Sequence, residues 1–515
     1  MKKIVLFVIM AISCFSCSDK DELAIDDIPN QKDFSGEPSL QSLTFLSDDN
    51  PRQMVTDVQA EITDSIITVR IRNIMQSKKL VPRFAINGDS LIYDGRKVES
   101  GLSEIDFSKP VELEVRKSGK QKMYTVYVHS YTGLPIIWVD TEDRQEIKSK
   151  EEYLNATFKL TQDVVTRAAG DIILKDVQIK GRGNYTWTYY PKKPYRLKFH
   201  EKVSLLDEAK DKSWVLLANY RDKAMLNNMT SFYLGSISKL EYTPKSHFVE
   251  FMLNGVYQGT YQLTEKLKIG KHRARLGGVL LEVDRYAPTE ADSRYFSVDS
   301  IKFPINIKDP DVEYGDSVYE YSKSFVQNAE KVLFSDYFKD PERGWRKYLD
   351  MESFADWYII TEIAKTPESI WLTSYMTLKE GEQLKMGPLW DYDFGYGNYY
   401  SKSFPDIESP EGFYLKNNAW YSRLFEDEYF VSYVKTRMAF FYNNLDNVLR
   451  EINENANYLK YSVQENNSKW GILYVPDKYR NTDNYIWGSY ENEVQRLKTW
   501  IIDRMTWLNT NIESL

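Results

Sequence analysis

The chain reads as an α+β protein in which strands come first and helices second. Three observations carry that reading. Between residues 39 and 131, short runs of alternating or β-branched residues recur, separated by clusters of Asp, Asn, Gly and Ser. Between Phe248 and Leu263, two further runs flank Asn254-Gly255, the strongest short hairpin signal a sequence offers. Beyond residue 318, apolar residues fall at spacings of three and four with charges between them. At 515 residues the chain is long enough for two or three units.

Taken in order, Met1-Lys2-Lys3 is a charged start, followed by the apolar run Ile4 to Ile12 and then Ser13-Cys14-Phe15-Ser16-Cys17. The run is too short to span a bilayer and reads as a secretory signal peptide over residues 1–17. Its end resembles a bacterial lipoprotein cleavage site, with Cys17 as the lipidated residue in preference to Cys14. Both cysteines of the chain lie here, so the exported part can form no internal disulfide. Ser18-Asp19-Lys20-Asp21-Glu22 is similar to the acidic sorting tether of Bacteroidetes surface lipoproteins, and residues 18–38 are polar and broken by Pro29, Gly36 and Pro38. The expectation is an exported protein, lipid-anchored to the outer membrane at the cell surface.

Strand signals at Val55 to Ile62, Ile66 to Ile71, Val111 to Val115 and Met123 to Val128 make residues 39–131 a small immunoglobulin-like β-sandwich. Tyr131 to Pro135 is a linker, and a main domain occupies residues 136–510. Its first half has a strand at Ile172 to Ile179, a second resuming over Lys192 to Phe199, a helix over Lys223 to Ser238, the Asn254-Gly255 hairpin, and a last strand at Leu280 to Asp284. Its second half has helices over Tyr319 to Leu333, Glu352 to Lys365, Tyr429 to Leu449 and Glu491 to Leu508.

A net charge of −8 gives no basic footprint for nucleic acid. The aromatic content is high, with 38 Tyr, 24 Phe and 12 Trp. Trp187, Tyr189, Tyr190, Tyr399, Tyr400 and Trp420 are candidates to stack on a sugar or a peptide. His129, His200, His247 and His272 stand singly, with no metal-ligand spacing and no Ser/His/Asp pattern.

The densest chemistry lies in Gly387-Pro388-Leu389-Trp390-Asp391-Tyr392-Asp393-Phe394-Gly395-Tyr396-Gly397-Asn398. Two carboxylates two residues apart follow a short strand signal at Gln383 to Met386, with glycines that permit a sharp backbone. Carboxylate oxygens are what Mg²⁺ and Ca²⁺ prefer. Taken alone, the stretch equally fits a hairpin loop whose aspartates cap turns.

The order of parts is informative. A glycine-containing loop at Arg182-Gly183-Asn184 and a lysine-bearing strand precede a helix, a hairpin and two carboxylates in a helical half. Phosphoryl transfer needs a loop over phosphates, a nearby cation such as Lys198 or Lys193, and carboxylates for Mg²⁺. Arg182-Gly183-Asn184, Lys192-Lys193-Pro194-Tyr195-Arg196-Leu197-Lys198, Asn219-Tyr220-Arg221-Asp222, Leu263-Thr264-Glu265-Lys266 and Gly387 to Asp393 together resemble the CotH kinase family, named for spore coat protein H. The resemblance covers roughly residues 136 to 510. It implies an atypical, two-lobed protein-kinase-like fold that transfers phosphate from ATP to protein Ser or Thr with a divalent metal such as Mg²⁺. It further implies that Asp391 binds the metal and Asp393 is a second ligand. Arg182, Gly183, Asn184 and Lys198 lie near the phosphates, and Glu265 near the hinge. Glu368 stands where relatives carry the catalytic-base Asp, one methylene longer. A second reading is a kinase-like fold kept as a module that holds a protein or a surface glycan through its aromatics. A third, metal-dependent hydrolysis, would use the same carboxylates.

Overall fold

The computed structural model describes residues 36–51, 54, 57–71, 78–130, 132–161, 172–399, 405–474 and 488–515. The leader with Cys14 and Cys17, the tether up to residue 35, and Tyr400 lie outside the described residues. Among those described, the protein is a mixed α+β structure, with strands concentrated before residue 310 and helices after it. No helix among them is long and apolar enough to cross a membrane.

In residues 39–130 the regular elements described are all strands. A three-stranded sheet sets Ser39–Phe45 between Val58–Gln59 and Arg83–Asn87, and a six-stranded sheet runs from Glu61–Thr63 to Arg96–Val98. The alternation does the sorting: in Val111–Lys117, Val111, Leu113 and Val115 are buried while Glu112 and Arg116 face water. Leu43, Phe45, Ile67, Leu113 and Val126 share one core, with Phe107 edge-on to Phe45 at 5.4 Å. Of the strand expected over Val55 to Ile62, Val55 lies outside the described residues. The rest is two short strands, Val58–Gln59 and Glu61–Thr63, because the chain changes sheets at Ala60: the first pairs with Ser39–Phe45 and the second with Ile66–Ile71.

From Ile136, seven strands close into a barrel in the order Ile136–Thr141, Leu154–Thr161, Ile172–Gly181, Tyr195–Val203, Asp211–Leu217, Val256–Glu265 and Ser246–Leu253. Leu253 pairs with Val256 across Asn254-Gly255, whose φ values of 52° and 78° suit a tight hairpin turn. Closure comes from Ile136–Thr141 running parallel to Ser246–Leu253, which leaves no open edge. Ile137, Phe158, Leu197, Trp214, Phe251 and Tyr261 fill the interior.

A second sheet of five strands joins the two halves of the main chain, in the order Arg294–Phe296, Ile305–Asp309, Val279–Val283, Ser374–Leu378 and Lys385–Met386. The strand content therefore does not end at Asp284, as the sequence suggested. Val279–Val283 finds its partner in Ser374–Leu378, beyond two helices. Helices Ser317–Leu333, Met351–Ala364 and Tyr490–Asn511 match the expected spans to within a few residues. The span read as one helix from Tyr429 to Leu449 is two, Glu428–Asn443 and Leu445–Trp470. The break falls at Asn444, whose side chain donates to Phe440 O at 2.9 Å and whose backbone leaves helical geometry. The helix expected from Lys223 starts at Asn227, because Met225 sits at φ 59° and Asp222 Oδ2 accepts the Asn227 amide at 2.7 Å.

The long helix Leu445–Trp470 is fastened to the barrel by a buried polar network. Lys192 is fully buried, and its ammonium donates to Thr260 O and to Asn466 Oδ1 at 2.9 Å. Glu250 accepts from Tyr257 OH at 2.7 Å and from Ser462. Nearby Glu465 is pushed up to about 8 by burial and by the Glu250 charge. Unfolded, Glu465 loses its proton near the ordinary value of 4.5; folded, it keeps it to about 8. The folded state thus holds the extra proton, and stability falls as pH rises through that window. Lys192, held near 7 by burial, titrates above the lower part of it. The Glu465→Gln variant is therefore expected to flatten the profile between pH 5 and 7, with wild type losing about 1–2 kcal/mol more than the variant, read from urea unfolding at each pH.

Candidate functional site

A cleft of about 360 Å³ opens where the barrel meets the five-stranded sheet. Arg182, Gly183 and Asn184 reach it from the turn that follows Ile172–Gly181. Gly181 is bare for a reason: a Cβ there would stand 2.3 Å from the Trp187 ring. Gly183 takes φ +79°, which a side chain would strain.

Asp391 and Asp393 enter from the loop after Lys385–Met386, as the sequence suggested. Side chains from distant elements hold that loop. The Tyr392 amide donates to Asn228 Oδ1 at 2.7 Å, and Asp393 O accepts from Asn227 Nδ2 at 3.1 Å and from Asn398 Nδ2 at 2.7 Å. Arg221 donates to Asn398 O at 2.8 Å. Tyr392 OH meets Thr361 Oγ1 at 3.1 Å, and Tyr396 OH meets Ser231 Oγ at 2.6 Å. The loop is thereby strapped to the helices Asn227–Ser236 and Met351–Ala364.

Glu368 lies in the turn Pro367–Ile370, which follows Met351–Ala364 directly. Lys365 between them adopts φ 48°, and its ammonium donates to the carbonyls of Asp406 (2.7 Å), Ser409 (2.9 Å) and Glu411 (2.6 Å). That three-way bond fixes where the turn begins.

Glu368, Asp391 and Asp393 thus line one cleft with Arg182, Gly183 and Asn184. All three carboxyls are held above their ordinary range, first by burial. The charges of Asp391 and Asp393 raise Glu368 further, and that of Asp391 raises Asp393; Arg221 opposes both. Arg182 opposes the shift at Asp391 and lies 5.5 Å over the Trp390 ring. Asp393 Oδ1 is buried without a hydrogen-bond partner. Mutual repulsion and an unpaired carboxylate oxygen are what a divalent cation relieves, so the donor set fits Mg²⁺. Among the described residues no three His, Cys, Asp or Glu side chains form a metal group by themselves.

Several cleft residues were not picked out in the sequence. Glu282 lies in the central strand Val279–Val283 and Asp284 directly after it, and Lys308 comes from Ile305–Asp309. Lys308 pairs with Glu282 at 3.2 Å and with Asp284 at 3.4 Å. Glu282 is pushed up to about 7 by burial, against the pull of Lys308. The signal was present: acids at alternate positions in the apolar run Leu280-Leu281-Glu282-Val283-Asp284 have no place in a buried strand without partners. A second cavity of about 340 Å³ continues past Arg182, lined by the basic residues Lys180, Arg196 and Lys266 and the apolar residues Val215, Leu267 and Leu280.

Two expected cofactor residues fall outside both cavities. Lys198 lies exposed on Tyr195–Val203, its ammonium 5.4 Å over the Tyr153 ring, and Arg196 takes the place nearer the cleft. Glu265 is spent on Tyr242 OH (2.6 Å), the Lys245 amide (3.0 Å) and Arg273, while Lys266 after it lines the second cavity. Of the aromatic candidates, Tyr399 lines the cleft, with Tyr185, Tyr220, Trp371 and Phe394 beside it. Trp420 is buried elsewhere, donating to Glu330 at 2.9 Å.

Asn228 carries the clearest test of this architecture. Replacing it with Ala leaves the buried Tyr392 amide without its acceptor, at a cost of about 1–3 kcal/mol. The expected outcome is a lower thermal midpoint for Asn228→Ala, measured by differential scanning calorimetry, with the transition of residues 39–130 unmoved where it resolves separately.

Among curated proteins, none matches the chain. Among solved structures, one described as a putative glycoside hydrolase from Bacteroides thetaiotaomicron aligns over 73% of this chain and 87% of its own at 12% identity. Its TM-score of 0.16 lends no weight to any shared fold. The profile of a family described as "CotH kinase protein" matches residues 179–508, which include every residue placed in the cleft. On that match, the chain belongs to the CotH kinase family.

Proposed function

We propose that this protein is a phosphotransferase of the CotH type, which uses ATP and Mg²⁺ to phosphorylate a hydroxyl, with protein Ser or Thr as the acceptor. The observation that carries the reading is the meeting of Glu368, Asp391 and Asp393 with Arg182 and Lys308 in one cleft. In this reading Asp391 and Asp393 hold Mg²⁺, which neutralises charge on the phosphates. Glu368 orients the acceptor hydroxyl and takes its proton, a role favoured by a carboxyl that burial and the charges of Asp391 and Asp393 hold above its ordinary range. The second cavity takes the nucleotide, with Val215, Leu267 and Leu280 as apolar contacts for the base and Arg182, Arg196 and Lys308 as cations for the phosphates. The barrel and the helical half form the two lobes of a kinase-like fold, and residues 39–131 an immunoglobulin-like spacer. Cys17 anchors the exported chain to the outer membrane by lipid.

A second reading is favoured by one observation, the aromatic wall of the same cleft: Tyr185 and Phe394 at 6.3 Å, Phe394 and Tyr399 at 5.4 Å, with Tyr220 also in the lining. Such a wall suits a module that holds a glycan or a protein segment by stacking, with no chemistry.

Calorimetric titration of the detergent-solubilised full chain with ATP and Mg²⁺ separates the two. Under the first reading, Asp391→Ala weakens metal-dependent ATP binding at least about 100-fold, the worth of a ligand of about 3 kcal/mol. Folded wild type that binds no nucleotide, yet binds glycans irrespective of Asp391, sinks the phosphotransferase.

A further inference from the structure

The five-stranded sheet has two faces, and they serve different spaces. Along Val279–Val283 and beyond, Leu280, Glu282 and Asp284 point toward the cleft and its continuation. Val283 points the other way, as does Ser374, its cross-strand partner, and Met376 two residues on. Together they wall a separate cavity of about 190 Å³ behind the sheet. Ser369, next in sequence to Glu368, closes it on the side of the catalytic turn.

The lining is that of a ligand pocket rather than a packing fault. Two stacked aromatic pairs frame it, Trp357 with Tyr421 at 5.9 Å and Phe354 with Trp420 at 6.3 Å. Lys302 is the one charged residue in the lining, and it is exposed. An anion or a metal therefore finds no partner inside. The three serine hydroxyls of the lining have already spent their hydrogens, Ser300 on Glu330, Ser369 on Thr366 O at 2.8 Å and Ser374 on Ser369 O at 2.7 Å. What they still offer is oxygen lone pairs. An apolar cavity of roughly 150 Å³ is known to take benzene, so this volume admits one ring with a small substituent.

We propose that this cavity is a binding site for a small uncharged aromatic molecule, one ring bearing a single O–H or N–H donor that bonds a serine oxygen. The occupant would press on the back of the strands that carry Glu282 and Tyr375 and on the turn that carries Glu368. The inference stands apart from the phosphotransfer reading, because it needs neither nucleotide nor metal.

The probe is 4-fluorophenol, followed by fluorine NMR on the full chain in detergent against a detergent blank. Expected is saturable one-to-one binding, with quenching of tryptophan fluorescence from Trp357 and Trp420. Ile301→Trp, which adds bulk to the lining from a half-buried loop position, and Met376→Phe, which adds it from the buried strand Ser374–Leu378, should each weaken binding by about tenfold or more. Two results overturn the proposal: no saturable binding by wild type, or undiminished binding by both variants at wild-type thermal midpoints.

Discussion

Three carboxylates that face one cleft are the costliest arrangement in this protein, and much of the surrounding structure answers to them. Burial alone disfavours each charge, and neighbouring carboxylates add to it at Glu368 and Asp393. Nothing in the immediate loop offsets this, because the residues between Trp390 and Asn398 carry no cation. Compensation arrives from elsewhere in the chain: Arg182 from the barrel, Arg221 from the turn before the first long helix, Arg285 from the end of a sheet strand. A site built this way holds its shape only if all those elements hold theirs. That explains the density of side-chain bonds to backbone around it. Asn227, Asn228 and Asn398 bind the loop directly. Trp500 and Arg504 on the last helix bind the carbonyls of Ile363 and Glu362, at the end of the helix that leads into Glu368.

Arg504 shows how far the support extends. It is fully buried, pairs with Glu362 at 2.6 Å, and also donates to Pro410 O and Gly412 O. Glu362 in turn accepts the amides of Tyr414 and Leu415. A buried ion pair alone is weak support for stability, since desolvation consumes most of the attraction. Here both side chains also fasten backbone, so the pair serves to place a loop and a helix end rather than to add net stability.

What could be read from the sequence was local. Asn254-Gly255 announces its hairpin because the turn needs positive φ at both residues. Trp390-Asp391-Tyr392-Asp393 stands out as two acids two residues apart among aromatics and glycines, all within one short stretch. Non-local pairing was hidden: nothing near Val279 signals that its neighbour is Leu378, so the second sheet and its residues Glu282, Asp284 and Lys308 went unread. Lys198 was misjudged by position along its strand, not by face. It points to the same side as Arg196 but lies two residues farther from the cleft, about 7 Å of strand. The single helix expected over Tyr429 to Leu449 failed for a different reason. Apolar periodicity carries on through Asn444, while that residue's side chain competes for the helix's own carbonyls.

The five-stranded sheet explains why one protein can keep a charged cleft and an apolar cavity a single layer apart. Successive side chains on a strand point to opposite faces, so Glu282 beside Val283, or Tyr375 beside Met376, divides polar from apolar space with no extra structure. The division has a cost on the polar side. Glu282 lies against apolar protein and is pushed up to about 7, so its charge near neutrality rests on Lys308. Lys308 lines both the cleft and its continuation past Arg182, and so the same cation that steadies Glu282 bears on both spaces. A change at Lys308 therefore reaches the sheet, the cleft and the cavity together, whereas a change behind the sheet reaches the cleft only through the backbone of two strands and one turn.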